Sequence, residues 1–178
     1  MSSGEQIFVH PAAVIIGDVK VGKCSSIWPC AVLRGDFNSI IIGEYSSIQD
    51  NCVLHPTPFN RVDVGNYVTV GHGAVLHGCK VENDVLIGMN STILDGSVIG
   101  SGSVVGAGAL IRENLVVPPG SLVVGVPGKI LEGKGNAELN HQNALLYFEL
   151  ALKHLRGEIR MGQEEFLSLM QKIAGGSG

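Results

Sequence analysis

Along most of the chain an aliphatic residue recurs every sixth position. The first run is Val9, Ile15, Val21, Ile27 and Leu33. The phase slips by three to Ile42, Ile48 and Leu54, and by four to Val64, Val70 and Leu76. It contracts by one to Val81, Ile87 and Ile93, then runs unbroken through Ile99, Val105, Ile111, Val117 and Val123. All three breaks fall after a third hexad, so three hexads form one larger unit. A period this short, kept for this long, is the mark of a solenoid. The spacing predicts a triangular coil of three short flat strands per turn, with the aliphatic residue pointing inward. The residue after the aliphatic one is often glycine (Gly22, Gly43, Gly65, Gly71, Gly88, Gly100, Gly106). We read these glycines as corners where φ changes sharply. Four residues after the aliphatic position stands a small one, such as Ser25, Ala31, Cys52, Ala74 or Ser103. The competing architecture is a β-sandwich of alternating strands. A sandwich has no reason to hold a six-residue phase.

The coil is expected from about Ile7 to Val126, where Pro118-Pro119-Gly120 and Pro127-Gly128 punctuate its end. We therefore divide the chain into a β-helix domain, 1–128, and a helical tail, 129–178. In the tail, Leu139, Ala144, Leu145, Phe148, Ala151, Leu152 and Leu155 follow helical spacing, and Asn136 is placed to cap that helix. A shorter helix is predicted over Glu164–Ile173. One apolar helix face must be covered, by the flank of the prism or by a neighbouring subunit. The glycine- and serine-rich ends, Met1–Gly4 and Gly175–Gly178, carry no pattern.

The repeat phase also sorts the polar residues. A coil stacks equivalent positions of successive turns about 4.7–4.9 Å apart. Arg34, His55 and His77 each directly follow the aliphatic residue of a third hexad, so they share one outward column. Two imidazoles on adjacent rungs can both reach one ion with Zn–N bonds of about 2.0–2.1 Å. His72 lies on a second hexad, one rung beyond Asp50, and so faces another side. Three coils packed side by side would bring the second face of one against the third face of the next. That gives three sites per trimer, each at a subunit interface. His10, His141 and His154 fit no constellation and are read as surface residues.

Composition narrows the function. The 178 residues carry a formal net charge of −4, with no basic stripe, which disfavours nucleic acid and anionic membranes as partners. Apolar residues make up 45%, too many for a disordered chain. Aromatic residues are only 5%, as a narrow aliphatic interior requires. No apolar run is long enough for a membrane span or a signal core, so a cytoplasmic location is expected. Cys24, Cys30, Cys52 and Cys79 form no CxxC pair and are read as reduced thiols.

Several motifs resemble the γ-class carbonic anhydrases and their bacterial and archaeal relatives. They are Ser26-Ile27-Trp28-Pro29, Leu33-Arg34-Gly35-Asp36, Ile48-Gln49-Asp50-Asn51, Leu54-His55, Gly71-His72-Gly73-Ala74-Val75-Leu76-His77-Gly78-Cys79, Ile87-Gly88-Met89 and Gly120–Pro127. They occur in the family's order and spacing between about Ile7 and Leu131. The resemblance implies an all-β fold, a left-handed parallel β-helix of hexapeptide repeats with a C-terminal α-helical tail, assembled as a homotrimer. It implies His55 and His77 of one chain and His72 of its neighbour as ligands of Zn²⁺, or of Fe²⁺ or Co²⁺, which also suit imidazole. It implies a catalytic set of Gln49, which holds the metal-bound solvent, Arg34, Asp36 and Asp50, which tie subunits together and shape the site, and Tyr147 from the tail, with Asn143 beside it. The implied reaction is reversible hydration of CO₂ to bicarbonate by a metal-bound hydroxide.

The sequence departs from the prototype in one respect. Phe37 follows Asp36, and the loop Pro56-Thr57-Pro58-Phe59-Asn60 has no carboxylate, so the family's acidic proton relay is missing. Three other readings share the repeat: a metal-dependent thioesterase or hydrolase, a hexapeptide acyltransferase with a histidine base, and a non-catalytic trimeric binding protein.

Overall fold

The computed structural model describes residues 6–175. Met1–Gly4 and most of the Gly175–Gly178 end lie outside the described residues, but Gly175 itself closes the second helix. The chain winds into a parallel β-solenoid of about six turns, followed by two helices.

Each predicted aliphatic position takes its place in one of three ladders. Val9, Ile27, Ile48, Val70, Ile87, Val105 and Val123 pair in sequence up one face, the first wall, which carries the second hexad of each turn, so that the third hexads make the second wall. Ile15, Leu33, Leu54, Leu76, Ile93 and Ile111 form the second. Val21, Ile42, Val64, Val81, Ile99 and Val117 form the third. From Ile27 onward all of them are buried and make one continuous core. The first turn has no coil beneath it, so Val9 and Ile15 remain 43% and 40% exposed. The phase slip after Leu33 is absorbed by one long strand, Val32–Ile42, which turns the corner and joins two faces into a single sheet. The slip after Leu54 becomes the loop at Pro56–Asn60.

The glycines do something other than the sequence suggests. Gly22, Gly43, Gly65, Gly71, Gly88, Gly100 and Gly106 are not left-handed. They are required because neighbouring coils pass too closely for a side chain. A Cβ on Gly22 would sit 2.6 Å from the Gly43 carbonyl carbon, and one on Gly88 would sit 2.5 Å from the Ala107 nitrogen. The left-handed corners come two residues later, and side chains occupy several of them: Cys24, Tyr45, Tyr67 and Asp84 stack at one corner with φ near +60°. A non-glycine residue there costs about 1–2 kcal/mol. Backbone bonds such as Tyr45 N to Lys23 O (3.1 Å) and Tyr67 N to Glu44 O (2.9 Å) repeat at that corner and help offset the cost. The small residues four places on are buried as expected, and their hydroxyls bond backbone carbonyls, as Ser25 to Gly43 O and Ser46 to Gly65 O, both 2.7 Å.

Beyond the predicted end of the coil, Lys129–Leu131 folds back antiparallel on Leu122–Val124. Helix α1, Ala137–Leu155, starts at the expected cap, with Asn136 Oδ1 accepting from Leu139 N at 3.1 Å. It lies along the first face of the prism. Asn140 donates to Asp84 O and Ser103 O, and Ala151 packs against Phe8 and Trp28. Two histidines expected at the surface are part of this seam. His141 bonds Asp84 at 2.7 Å and stacks on Tyr67 at 4.0 Å. His154 lies edge-on to Trp28 and Phe8 at 5.1 and 5.7 Å. The hexad phase could not reveal these contacts, because their partners belong to a different element. Helix α2, Gln163–Gly175, packs on α1 and is tied to it by Lys153 to Glu165, while Glu158 of the connecting segment also pairs with Lys153. No helix among the described residues is long and apolar enough to cross a membrane. No disulfide joins any of the four cysteines among the described residues.

Candidate functional site

The functional side chains stand on two different walls of the prism. On the second wall, Leu54 and Leu76 pair in register and carry His55 and His77 outward together. The two rings lie 5.2 Å apart, with His55 Nδ1 3.2 Å from His77 Nε2. The outer nitrogens are held by carboxylates. Asp36, one coil earlier, accepts from His55 Nε2 at 2.9 Å. Asp95, one coil later, accepts from His77 Nδ1. Four side chains on successive coils thus form one chain: Asp36, His55, His77, Asp95. Arg34 pairs with Asp36 at its upper end. Desolvation pushes the Asp36 carboxyl up, but hydrogen bonds from Arg34 and His55 outweigh it and hold the group below its ordinary value. Phe37 leans over His55 at 5.5 Å and is 61% exposed, while Phe59, on the adjacent short loop, is 91% exposed.

The first wall carries the second cluster. His72 follows Val70 and Gly71 there, and its Nδ1 lies 2.9 Å from Asp50, the equivalent residue one coil earlier. Gln49 and His72 share a pocket of about 220 Å³ with Thr69, Met89 and, from helix α1, Asn143 and Tyr147. Gln49 is 3% exposed and hydrogen-bonds the Tyr147 phenol. Burial raises the Tyr147 pKa, the Gln49 bond opposes it, and the net shift is upward. Asn143 donates to Thr69 Oγ1 at 3.1 Å.

The structure therefore brings together His55, His77, Asp36 and Arg34 on one wall, and Gln49, Asp50, His72 and Tyr147 on the other. It does not bring the two sets together in one chain. Among the described residues no group of three His, Cys, Asp or Glu side chains is arranged to hold a metal. Arg34–Asp36 and Asp50–His72 are pairs within one chain here. Asp95 was missed by the sequence reading. It lies two residues after Ile93, and a carboxylate on the rung after a histidine pair was the available signal. Thr69 was missed because its role depends on where the helix docks.

The geometry of the His55–His77 pair is compatible with a metal. Two nitrogens on one tetrahedral ion, with bonds of about 2.0–2.1 Å, stand about 3.3 Å apart. The inner nitrogens of His55 and His77 are 3.2 Å apart. Each of the three histidines also gives its other nitrogen to a carboxylate, the usual outer partner of a ligating imidazole. His141–Asp84 shows that such a pair alone does not mark a ligand. What distinguishes His55 and His77 is that their remaining nitrogens converge.

Comparison with known proteins places these features in context. Residues 78–113 match the family described as Bacterial transferase hexapeptide (six repeats). The chain is 47% identical over 149 residues to a protein of Methanocaldococcus jannaschii named "Probable carbonic anhydrase", covering 83% of this chain and 94% of that one. It is 42% identical over 158 residues to "Gamma carbonic anhydrase 2, mitochondrial" of Arabidopsis thaliana; the match covers 84% of this chain but only 57% of the plant protein. Among solved structures, a hexapeptide transferase family protein from Anaplasma phagocytophilum superposes with a TM-score of 0.70 at 36% identity, over 85% of this chain and 92% of that one.

Proposed function

The chain belongs to the hexapeptide-repeat γ-carbonic anhydrase family, and we propose that it catalyses the reversible hydration of CO₂ to bicarbonate at a divalent-ion site shared between chains of a homotrimer. The observation that carries this reading is the convergence of His55 Nδ1 and His77 Nε2 at a spacing that fits one ion. In this reading His55 and His77 of one chain and His72 of the next hold Zn²⁺, with Fe²⁺ or Co²⁺ as the alternatives that imidazole also suits. An ion held by three neutral imidazoles supplies a Lewis acid and a water that ionises near neutral pH.

The chain's own residues do the rest. The carboxylates of Asp36, Asp50 and Asp95 fix the rotation of the three rings. Gln49, held from behind by Tyr147, presents its amide to the small pocket and orients solvent and substrate there. Arg34 and Asp36, at the edge of their wall, exchange contacts with the neighbouring chain when the trimer closes. Proton export is the weak step. Neither Phe37 nor the Pro56–Asn60 loop offers a titratable group, so the proton leaves to buffer.

The test is isotope exchange between CO₂ and water in metal-replete protein. Exchange should require the metal, rise with imidazole buffer concentration, and rise further in Phe37→Glu. Absence of exchange above background in fully loaded protein would remove the anhydrase reading. An acyltransferase would instead keep its activity after the metal was stripped. Thioester hydrolysis that depends on the metal would point to the hydrolase alternative.

A further inference from the structure

Asp95 stands apart from the other two carboxylates of the site. Asp36 is shared between His55 and Arg34, and the side chain of Asp50 borders the pocket wall through His72. The only ion-pair partner of Asp95 among the described residues is His77. Among the described residues no lysine or arginine pairs with it. Its backbone is clamped from both sides. Asn114 N donates to Asp95 O at 2.8 Å, and Gly96 N donates to Gly78 O at 2.8 Å, which ties the turn after Asp95 to the turn after His77. The carboxylate is therefore carried on a rigid rung directly beyond the histidine it touches.

An ionised carboxylate can only accept hydrogen bonds. Its contact with His77 Nδ1 therefore places the ring proton on Nδ1 and leaves Nε2 as a lone pair. Nε2 is the nitrogen that faces His55. In a neutral imidazole one nitrogen donates and the other accepts, so the choice made at Nδ1 decides what Nε2 can do. Without Asp95 the ring is free to carry its proton on Nε2, where it would point into the space a cation must occupy.

We propose that Asp95 is the positioning residue of the metal centre: it fixes the Nδ1–H tautomer of His77 and so aims the Nε2 lone pair at the ion. The consequence for metal affinity rests on the metal reading above; the consequence for the tautomer does not. Loss of such an outer partner typically weakens metal binding by about 10- to 100-fold.

Two measurements on the full-length protein separate these. In metal-free protein, imidazole ¹⁵N NMR should show His77 with a protonated Nδ1 and a bare Nε2. Asp95→Ala should shift the ring to a mixture that includes protonated Nε2, while Asp95→Asn, whose amide oxygen still accepts from Nδ1–H, should retain most of the wild-type pattern. Should Asp95→Ala fail to fold, Asp95→Ser, also too short to reach the ring, carries the same expectation. An unchanged His77 tautomer in the shortened variant overturns the proposal. In the second measurement, Co²⁺ is titrated against a chelator. Asp95→Ala should bind about 10- to 100-fold more weakly than wild type, Asp95→Asn should lie between, and His77→Ala should not bind. Equal affinity in wild type and Asp95→Ala also overturns the proposal. Wild-type protein that takes up no Co²⁺ overturns the metal reading instead, and the tautomer result still decides the role of Asp95.

Discussion

The two walls that carry the candidate site are built on different principles. The wall of Asp36, His55, His77 and Asp95 is made by the coil alone. Its side chains stand in line because parallel pairing sets each residue against its equivalent on the next rung, as His55 stands against His77. The wall of Gln49 and His72 starts from the same repeat, with Asp50 and His72 one rung apart, but is finished by a helix from far along the chain. Tyr147 and Asn143 reach it only because α1 docks on that face. A repeat places chemistry with the precision of its register. An appended helix places chemistry only as well as its seam of contacts, here Asn140, His141 and the Phe8–Trp28–Ala151 cluster.

The largest expected effect tests whether the walls meet between chains. His55→Ala and His72→Ala should each abolish metal binding, read as metal per chain, with the trimer intact by size-exclusion chromatography. Co-refolding the two variants in equal amounts should restore about a quarter of the sites, since a site is whole only where each chain supplies the half the other lacks. A mixture that stays empty would mean the two walls never form one site.

The next effect is on stability and falls on the coil. Leu76 is fully buried beneath His77, and Leu76→Ala should cost about 2–5 kcal/mol in denaturant unfolding. A smaller loss is expected at the helical seam. Replacing the cap in Asn136→Ala should cost about 0.5–2 kcal/mol. If the cap variant proved the more damaging, the coil would not be the part that sets the stability of the site.

Tyr147→Phe should leave metal content unchanged and lower exchange activity several-fold, because it frees the Gln49 amide without touching a histidine. Loss of metal in this variant would show that the helix supports the ligands and not only the pocket.

The smallest effect is alkaline. Cys52 and Cys79 lie inside the prism behind the two walls, and burial pushes their thiols up to about 11 and about 12. An acid whose folded value is raised stabilises the fold below its unfolded value and loses that contribution as pH climbs toward the folded one. Melting temperature should therefore decline between about pH 9 and 12 from these two groups, and less in Cys52→Ala and Cys79→Ala. At pH 8 a thiol reagent should find exposed Cys30 first and leave Cys52 and Cys79 unreacted until unfolding.

The sequence read the coil closely and the tail loosely. The hexad phase placed Ile48, Val70 and Ile87 in one ladder and Leu33, Leu54 and Leu76 in another, and that is how they pair. It misjudged the glycines: Gly22 and Gly88 answer to the closeness of the next coil, whereas left-handed corners went to Cys24 and Tyr45. It also left His141 and His154 at the surface, although both seat α1.

What the sequence determined by itself is everything that depends on register: the three aliphatic ladders, the His55–His77 column and the separate face of His72. Register is local, since a strand that pairs with its equivalent one turn away needs only a constant period. What the tertiary structure decided is everything that joins unlike elements: the seat of α1 on the first face, Tyr147 against Gln49, Asn143 on Thr69, and Asp95 on the outer nitrogen of His77. Those contacts depend on docking angles and ring rotations, and these arise only once the chain has a surface to pack against.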